Sequence, residues 1–158
     1  MRIKRTEVKV YPFAELSDEV QETIIERFRD SAIDYEWWEN TFEDAENVGI
    51  IIEEFDIDRA SFCRGTIDDA IDTARAILKG HGDTCETWQT AKNFHDAVAK
   101  DGEDTEDYEN LCLDFKYSLL EDYRIILQKE YEYLLSDTVI RDTIDANEYE
   151  FTVNGVLA

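Results

Sequence analysis

The residues of this chain best suited to metal binding or nucleophilic catalysis are three cysteines and two histidines. A structural zinc site takes four such ligands, usually in close pairs such as C-x2-C. Only His81 and Cys85, with three residues between them, have a workable spacing. The pattern argues against zinc and against a Cys–His nucleophile, and it predicts no bound metal and no cofactor. The five residues are Cys63, His81, Cys85, His95 and Cys112.

Carboxylates are the other abundant reactive groups, with 39 Asp and Glu in 158 residues. The segment 101–109, DGEDTEDYE, offers many oxygen ligands but lacks the twelve-residue pattern of an EF-hand. So many acids also mean that no pair stands out for glycosidase chemistry. There is no phosphate-binding loop, dinucleotide fingerprint, G-x-S-x-G or H-E-x-x-H. We expect a protein that is not an enzyme, with a carboxylate enzyme using a divalent metal as the alternative.

The formal net charge of −23 exceeds what solubility requires, which is a magnitude of roughly 2–8 for a small domain. Self-repulsion at this level lowers stability, so another function should favour it. Direct binding of nucleic acid needs Lys and Arg, so the fitting partner is a basic protein that itself binds DNA or RNA. Adaptation to high salt, which screens such repulsion, is the alternative explanation.

The acids concentrate between residues 34 and 58, where four glutamates follow a spacing of 3, 4 and 3. On a helix this spacing gives one face with neighbouring Cβ atoms roughly 5–6 Å apart, and the like charges destabilise the helix. A solvated helix face is the simple interpretation, and a partner-binding surface is the functional one. The predicted partner-binding residues are Glu36, Glu39, Glu43, Asp44, Glu46, Glu53, Glu54, Asp56, Asp58, Asp104 and Asp107.

Two adjacent tryptophans lie at the start of this acidic segment. Trp38 shares the apolar stripe of the predicted helix with Tyr35, Phe42 and Ala45. Neighbouring helical positions point in different directions, so Trp37 should lie at the edge of that stripe. Trp37 is therefore either a cover for the sheet or a neighbouring helix, or an exposed aromatic anchor for a partner.

The elements that would carry these groups follow from hydrophobic periodicity. Alternation predicts a strand over residues 2–11, ended by Pro12, and a closing strand over 149–158 with a turn at Asn154–Gly155. The β-branched run from Ile50 to Ile52 predicts another strand, which ends by Asp58. Residues 61–65 should pair with it as a hairpin.

Helical spacing predicts six helices, the first of them capped by Ser17. The second carries the acidic face and stops by Gly49. The others are expected over residues 66–79, 83–99, 106–135 and 137–147. Together the elements predict an α+β fold with a small sheet of about four mainly antiparallel strands, packed against five or six helices, one of them long and near the C-terminus. We expect a single domain over residues 1–158.

The location of the protein is predicted from its N-terminus and its apolar segments. The start, MRIKRTEVKVYPF, lacks the apolar run of a signal peptide, and no stretch is long enough to span a membrane. An odd number of widely spaced cysteines favours reduced thiols. We expect a soluble intracellular protein that does not bind membranes; the sequence leaves its oligomeric state open.

Several segments resemble a group of small acidic proteins from tailed bacteriophages and prophages. They are YPFAELSDEVQETIIERFRD, DYEWWENTFEDAENVGI and FDIDRASFCRG, followed by ETWQTAKNF, LLEDYRIILQKEYEYLLSD and NEYEFTVNG. The resemblance covers nearly the whole chain and implies a phage origin and a host bacterial cytoplasm. Small acidic phage proteins often inhibit host defence, some of them as mimics of DNA. The resemblance transfers no functional residue.

Charge and resemblance together predict a non-enzymatic inhibitor. Its acidic surface would occupy the nucleic-acid channel of a bacterial nuclease, restriction enzyme or CRISPR effector. The alternative is an antitoxin-like or regulatory module that binds its partner through shape rather than charge.

Overall fold

The computed structural model of the protein describes residues 1–103 and 107–158. Over these residues the chain is α+β, with six α-helices, one short 3-10 helix and two antiparallel sheets of two strands each. The predicted fold class is confirmed, but the strands form two separate pairs instead of one small sheet. The elements are β1 (Tyr11–Pro12), a 3-10 helix (Phe13–Glu15), α1 (Asp18–Ser31), α2 (Glu39–Asn47), β2 (Ile50–Asp56), β3 (Phe62–Ile67), α3 (Ala70–Gly80), α4 (Glu86–Asp101), α5 (Asp107–Leu134), α6 (Asp137–Ala146) and β4 (Glu150–Phe151).

The chain divides into two compact units. One, here the terminal unit, comprises Met1–Glu36 and Tyr131–Ala158, and the other, the central unit, comprises Trp37–Glu130. Each unit has a hydrophobic cluster of its own. The single domain over residues 1–158 stays a prediction.

The terminal unit is built from two capped helices and the β1–β4 pair. The Ser17 hydroxyl accepts a hydrogen bond from the backbone N–H of Val20, which confirms the predicted cap of α1. Ser136 caps α6 in the same way. Both helices bury apolar stripes, and β1 pairs with β4 so that Tyr11 lies opposite Phe151. The buried residues are Phe13, Leu16, Ile24, Ile25, Ile140, Ile144 and Phe151.

The predicted N-terminal strand over residues 2–11 is wrong for all but its last residue. Residues 1–10 are exposed and belong to no strand or helix. The cause is the short partner strand: beyond Phe151 the chain turns, and the N–H of Thr152 donates to the carbonyl of Val156, so no further backbone pairs with residues preceding Tyr11. Gly155, at a φ of +85°, completes the predicted turn. Pro12 lies within β1, at a sheet edge that tolerates it.

The central unit places the β2–β3 hairpin against helices. The predicted hairpin is confirmed, with Ile50 paired to Ile67 and Asp56 to Phe62. The predicted helix over 66–79 begins later, at Ala70, because β3 continues to Ile67 and the Asp69 carboxylate caps the helix by accepting the N–H of Asp72. The predicted helices over 83–99, 106–135 and 137–147 correspond to α4, α5 and α6, with ends that shift by up to three residues. The buried cluster is Ala45, Val48, Ile50, Ile52, Ala74, Ile77, Ala91, Phe94, Phe115, Leu119, Leu120 and Tyr123.

Candidate partner-binding surface

Helix α2 presents an apolar face to the core and a carboxylate face to solvent. Ala45 is fully buried and Phe42 packs against the core cluster. The three glutamates that follow the spacing 4 and 3 are all exposed, and none of them makes an ion pair within the described part of the chain. We call these residues, Glu39, Glu43 and Glu46, the α2 glutamates.

Glu36 does not belong to this face, although the spacing predicted it. Helix α2 begins at Glu39, and the chain forms a turn at Trp37 and Trp38. On a helix, adjacent side chains diverge by about 100°, whereas in the turn both indole rings contact one phenyl ring. The ring centroids of Trp37 and Trp38 each lie 5.7 Å from that of Phe55. With the aromatic turn at Trp37 and Trp38, the helix starts only after Glu36, which is exposed in the terminal unit.

The same aromatic cluster overturns the prediction of Trp37 as an exposed anchor. Its side chain is 9% exposed and belongs to the core, and Trp38 is half-buried beside it. Tyr35, predicted on the buried stripe, is instead 58% exposed because it precedes the turn. The sequence did contain an indication that Trp37 is buried, because an aromatic partner, Phe55, lies on the strand that follows α2.

Strand β2 carries its acids on the side turned away from the core, owing to a β-bulge. The pairing register shifts between Ile52 and Glu54, so Glu53 is an extra residue. Ile50 and Ile52 are buried, and the bulge allows Phe55 to reach the α2 side of the hairpin, where its ring lies 5.7 Å from that of Phe42. Both Glu53 and Glu54 are exposed as a result. We call Glu53, Glu54, Asp56 and Asp58 the hairpin acids. Glu54 lies on the face of the hairpin opposite to Phe55 and α2.

The hairpin acids are partly engaged by neighbouring groups. Glu54 pairs with Arg64 across the strands at 3.3 Å, and the guanidinium of Arg64 also lies 4.4 Å from the ring centroid of Phe62. The half-buried Asp56 accepts a 2.8 Å hydrogen bond from the N–H of Asp58, which shapes the start of the loop. These acids therefore support the hairpin, and the α2 glutamates are the set with fewer bonds to the fold.

Asp44 is exposed, yet it is tied to the core by two neighbours. Its Oδ2 accepts a 3.0 Å hydrogen bond from the hydroxyl of the fully buried Tyr123, and it lies 3.6 Å from Nε2 of His81. Burial, followed by the charge of Asp44, raises the pKa of Tyr123. Nδ1 of His81 is 2.7 Å from the Thr87 hydroxyl. Sequence reasoning missed this cluster because its members come from four separate elements or loops.

The Asp44–His81–Thr87 arrangement has the same order of groups as a catalytic relay, but Asp44 and Nε2 of His81 are not hydrogen-bonded. A nucleophile must also reach a substrate, and Thr87 is only 2% exposed. The Tyr123–Asp44 hydrogen bond ties α2 to α5, and His81 is held at the start of α4 by Thr87, while its buried Nε2 has no hydrogen-bond partner among the described residues. The arrangement is a structural cluster, in which the exposed Asp44 is also a surface charge.

The three cysteines lie in different surroundings. Burial, followed by the charge of Glu121, raises the pKa of Cys63 to about 11, which keeps it protonated at neutral pH. Cys112 is half-buried, and its hydrogen bond to Tyr108 is the largest cause that raises the pKa of that phenol to about 12. Cys85 is exposed. Among residues 1–103 and 107–158, no group of three or more His, Cys, Asp or Glu is placed to hold a metal ion.

Two of the predicted acids lie at the start of α5. Asp107 is exposed in the first turn of the helix, where a carboxylate is favoured by the helix dipole. Asp104 lies outside the described residues.

The segment that contains α2 and β2 is strongly acidic. From Trp37 to Asp58 the chain has eight acids and no Lys or Arg. The central unit as a whole has 24 acids and nine bases, a net charge of −15. Such a field attracts a cationic protein and repels nucleic acid.

Comparisons of the chain with family models, with curated proteins and with solved structures found no match. Within the described residues, no helix has the length and apolar character needed to span a membrane. The resemblance to phage proteins and the predicted partner therefore stay predictions.

Proposed function

We propose that this protein is a non-enzymatic inhibitor that binds a basic, nucleic-acid-binding protein through the α2 glutamates. The partner class is a bacterial nuclease, restriction enzyme or CRISPR effector, and the setting is the cytoplasm of a phage-infected cell. One observation supports the proposal above the others. Three exposed glutamates, which form no ion pair with any residue that the structure describes, share a face of a helix held against an aromatic core.

The rigidity of α2 is what makes this face suited to recognition. Phe42 contacts Phe55 below the helix, and the Asp44–Tyr123 hydrogen bond fixes it to α5. Carboxylates held in place bind a complementary cationic groove with a smaller loss of conformational entropy than a flexible acidic tail. Charge would accelerate the encounter, and the shape of α2 would provide specificity.

The test is a binding measurement against purified DNA-cleaving restriction enzymes and CRISPR effectors at 50 and 300 mM NaCl. We expect binding that weakens with salt and that competes with the enzyme's DNA. The variant Glu39→Gln/Glu43→Gln/Glu46→Gln should bind about tenfold more weakly, since each exposed pair contributes about 0.5 kcal/mol.

A matched variant separates the site from the net charge. Glu15, Glu19 and Glu22 are exposed, have the same 4 and 3 spacing and belong to the terminal unit. Changing these three residues to Gln alters the net charge by the same amount as the α2 variant does. It should leave the affinity within twofold of that of the unchanged protein. An affinity that does not change with salt or in either triple variant would contradict the proposal and favour a regulator that acts through shape.

A further inference from the structure

The first ten residues form a basic arm with uncovered apolar side chains. We use the name N-terminal arm for residues 1–10, which contain four bases and one acid. The side chains of Ile3 and Val8 are 82% and 63% exposed, and Val10 is 38% exposed. The arm belongs to no strand or helix and continues directly into β1. It is therefore an irregular segment whose exposed apolar groups lack a partner within the described chain.

The remainder of the terminal unit has the opposite charge. It contains 14 acids and three bases, which gives −11 against +3 for the N-terminal arm. The three bases are already committed to the fold. Arg27 donates to the carbonyl of Gly155, Arg29 pairs with Glu26 and Asp137, and Arg141 lies over the ring of Phe13. The unit without its arm thus carries a net negative charge, which attracts the basic arm of a neighbouring molecule.

An apolar groove of about 370 Å³ opens on the same unit. The rings of Phe28 and Tyr149, 5.7 Å apart, line it together with Leu134 and Val139. Tyr35 lies on the lining and is 58% exposed. A volume of this size is in the range of small ligand sites and suits aliphatic side chains.

We propose that the groove receives the N-terminal arm of a second copy of this chain, so that two copies exchange arms in a symmetric dimer. A single chain leaves both the arm and the groove uncovered, although ten extended residues can reach roughly 33–36 Å. Ile3 and Val8 would enter the groove, while the arm's bases face acids elsewhere on the terminal unit of the second copy. Reciprocal exchange of one segment closes the assembly at two copies.

Nucleic acid is the other common ligand of a basic arm, and the charge of the remaining chain argues against it. Without the arm, the chain has 12 bases and 38 acids, a net charge of −26. A phosphate backbone held by the arm would lie beside this charge and be repelled. A second copy offers the arm an acidic surface instead, together with the apolar groove.

The test is the mass of the full-length protein in solution, measured by light scattering from 2 to 200 µM in 50 mM NaCl. We expect a concentration-dependent dimer. Salt screens both the attraction of the arm's bases for acids and the repulsion between two chains of net charge −23, so the variants below carry the test. Ile3→Ser/Val8→Ser and, separately, Tyr35→Glu should each give a monomer. Val153→Ser is the control, because Val153 is 62% exposed in the same unit and does not line the groove.

Mixing the two monomeric variants tests the contact itself. The Ile3→Ser/Val8→Ser chain retains its groove and the Tyr35→Glu chain retains its arm, so the mixture should form a heterodimer. A wild-type monomer at 200 µM, a dimer that survives the arm substitutions or a mixture that stays monomeric would each overturn the proposal. Arm-dependent binding of a DNA duplex in place of self-association would overturn it as well.

Discussion

At the residue scale, the two tryptophans show how packing decides what a side chain can do. Spacing alone assigned Trp38 to the core and Trp37 to the edge, on the assumption of a continuous helix. The turn brings both rings onto Phe55, and Trp37 becomes the more buried of the two. The sequence identified the aromatic residues correctly, but their order of burial depends on a contact with the following strand, which local periodicity does not contain.

Tyr123 gives a prediction for a single hydrogen bond. Its hydroxyl is buried and donates to the Asp44 carboxylate, a charged acceptor. Tyr123→Phe should lower the free energy of unfolding by about 1.5 kcal/mol at pH 7, measured by urea titration. Tyr117→Phe, at a tyrosine that is 63% exposed, should change it by less than about 0.5 kcal/mol. Equal effects of the two substitutions would contradict the assigned hydrogen bond.

The same residue predicts how stability depends on alkaline pH. Burial and Asp44 raise the pKa of Tyr123 above the ordinary value of about 10, so the folded chain retains a proton that the unfolded chain loses. Stability contributed by this group is complete below pH 10 and falls by about 1.4 kcal/mol per pH unit above it. The phenylalanine variant lacks this loss, so the two unfolding curves should meet near about pH 11. A constant difference from pH 7 to 11.5 would refute the assignment.

At the element scale, capped helices were predicted well and strand pairing was not. Ser17 and the spacing after it define α1 from local residues alone, and the same holds for α6. Residues 2–10 alternate much as a strand does, but a strand also needs a partner, and β4 supplies two residues. The bulge at Glu53 could not be predicted from the local sequence either, because it arises from the pairing register between β2 and β3.

The bulge leads to a prediction at Gly65, which lies opposite Ile52. A Cβ atom at Gly65 would lie 2.3 Å from the carbonyl oxygen of Ile51, and backbone cannot yield as a flexible side chain can. Gly65→Ala should therefore destabilise the protein by about 3 kcal/mol. Gly80→Ala adds the same methyl group at the end of α3, where no atom lies within 4 Å, and should be neutral or stabilising by about 0.5 kcal/mol. Comparable urea midpoints for the two variants would refute the tight strand approach.

At the scale of the whole molecule, the candidate surface followed from composition more than from any motif. A count of charges located the acid-rich segment, and the fold then divided it into two faces, with Glu54 paired to Arg64 and the α2 glutamates left exposed. That division depends on which side of the hairpin α2 packs against, a tertiary property. Charge density is therefore predictable from sequence, whereas the shape of the charged surface is not.

The net charge of −23 also makes a global prediction about stability. Repulsion among unpaired carboxylates disfavours the compact state, and raising NaCl from 20 to 300 mM shortens the screening length from about 20 to about 6 Å. The free energy of unfolding should rise by roughly 1–2 kcal/mol over this range, measured by urea titration at 1–2 µM protein. Both glutamine triple variants, at residues 39, 43 and 46 and at residues 15, 19 and 22, should reduce the salt dependence equally. Repulsion summed over the molecule depends on the number of charges, whereas partner binding depends on their position. Unequal slopes, or stability that does not change with salt, would show that local ion pairs and not the net charge control the folded state.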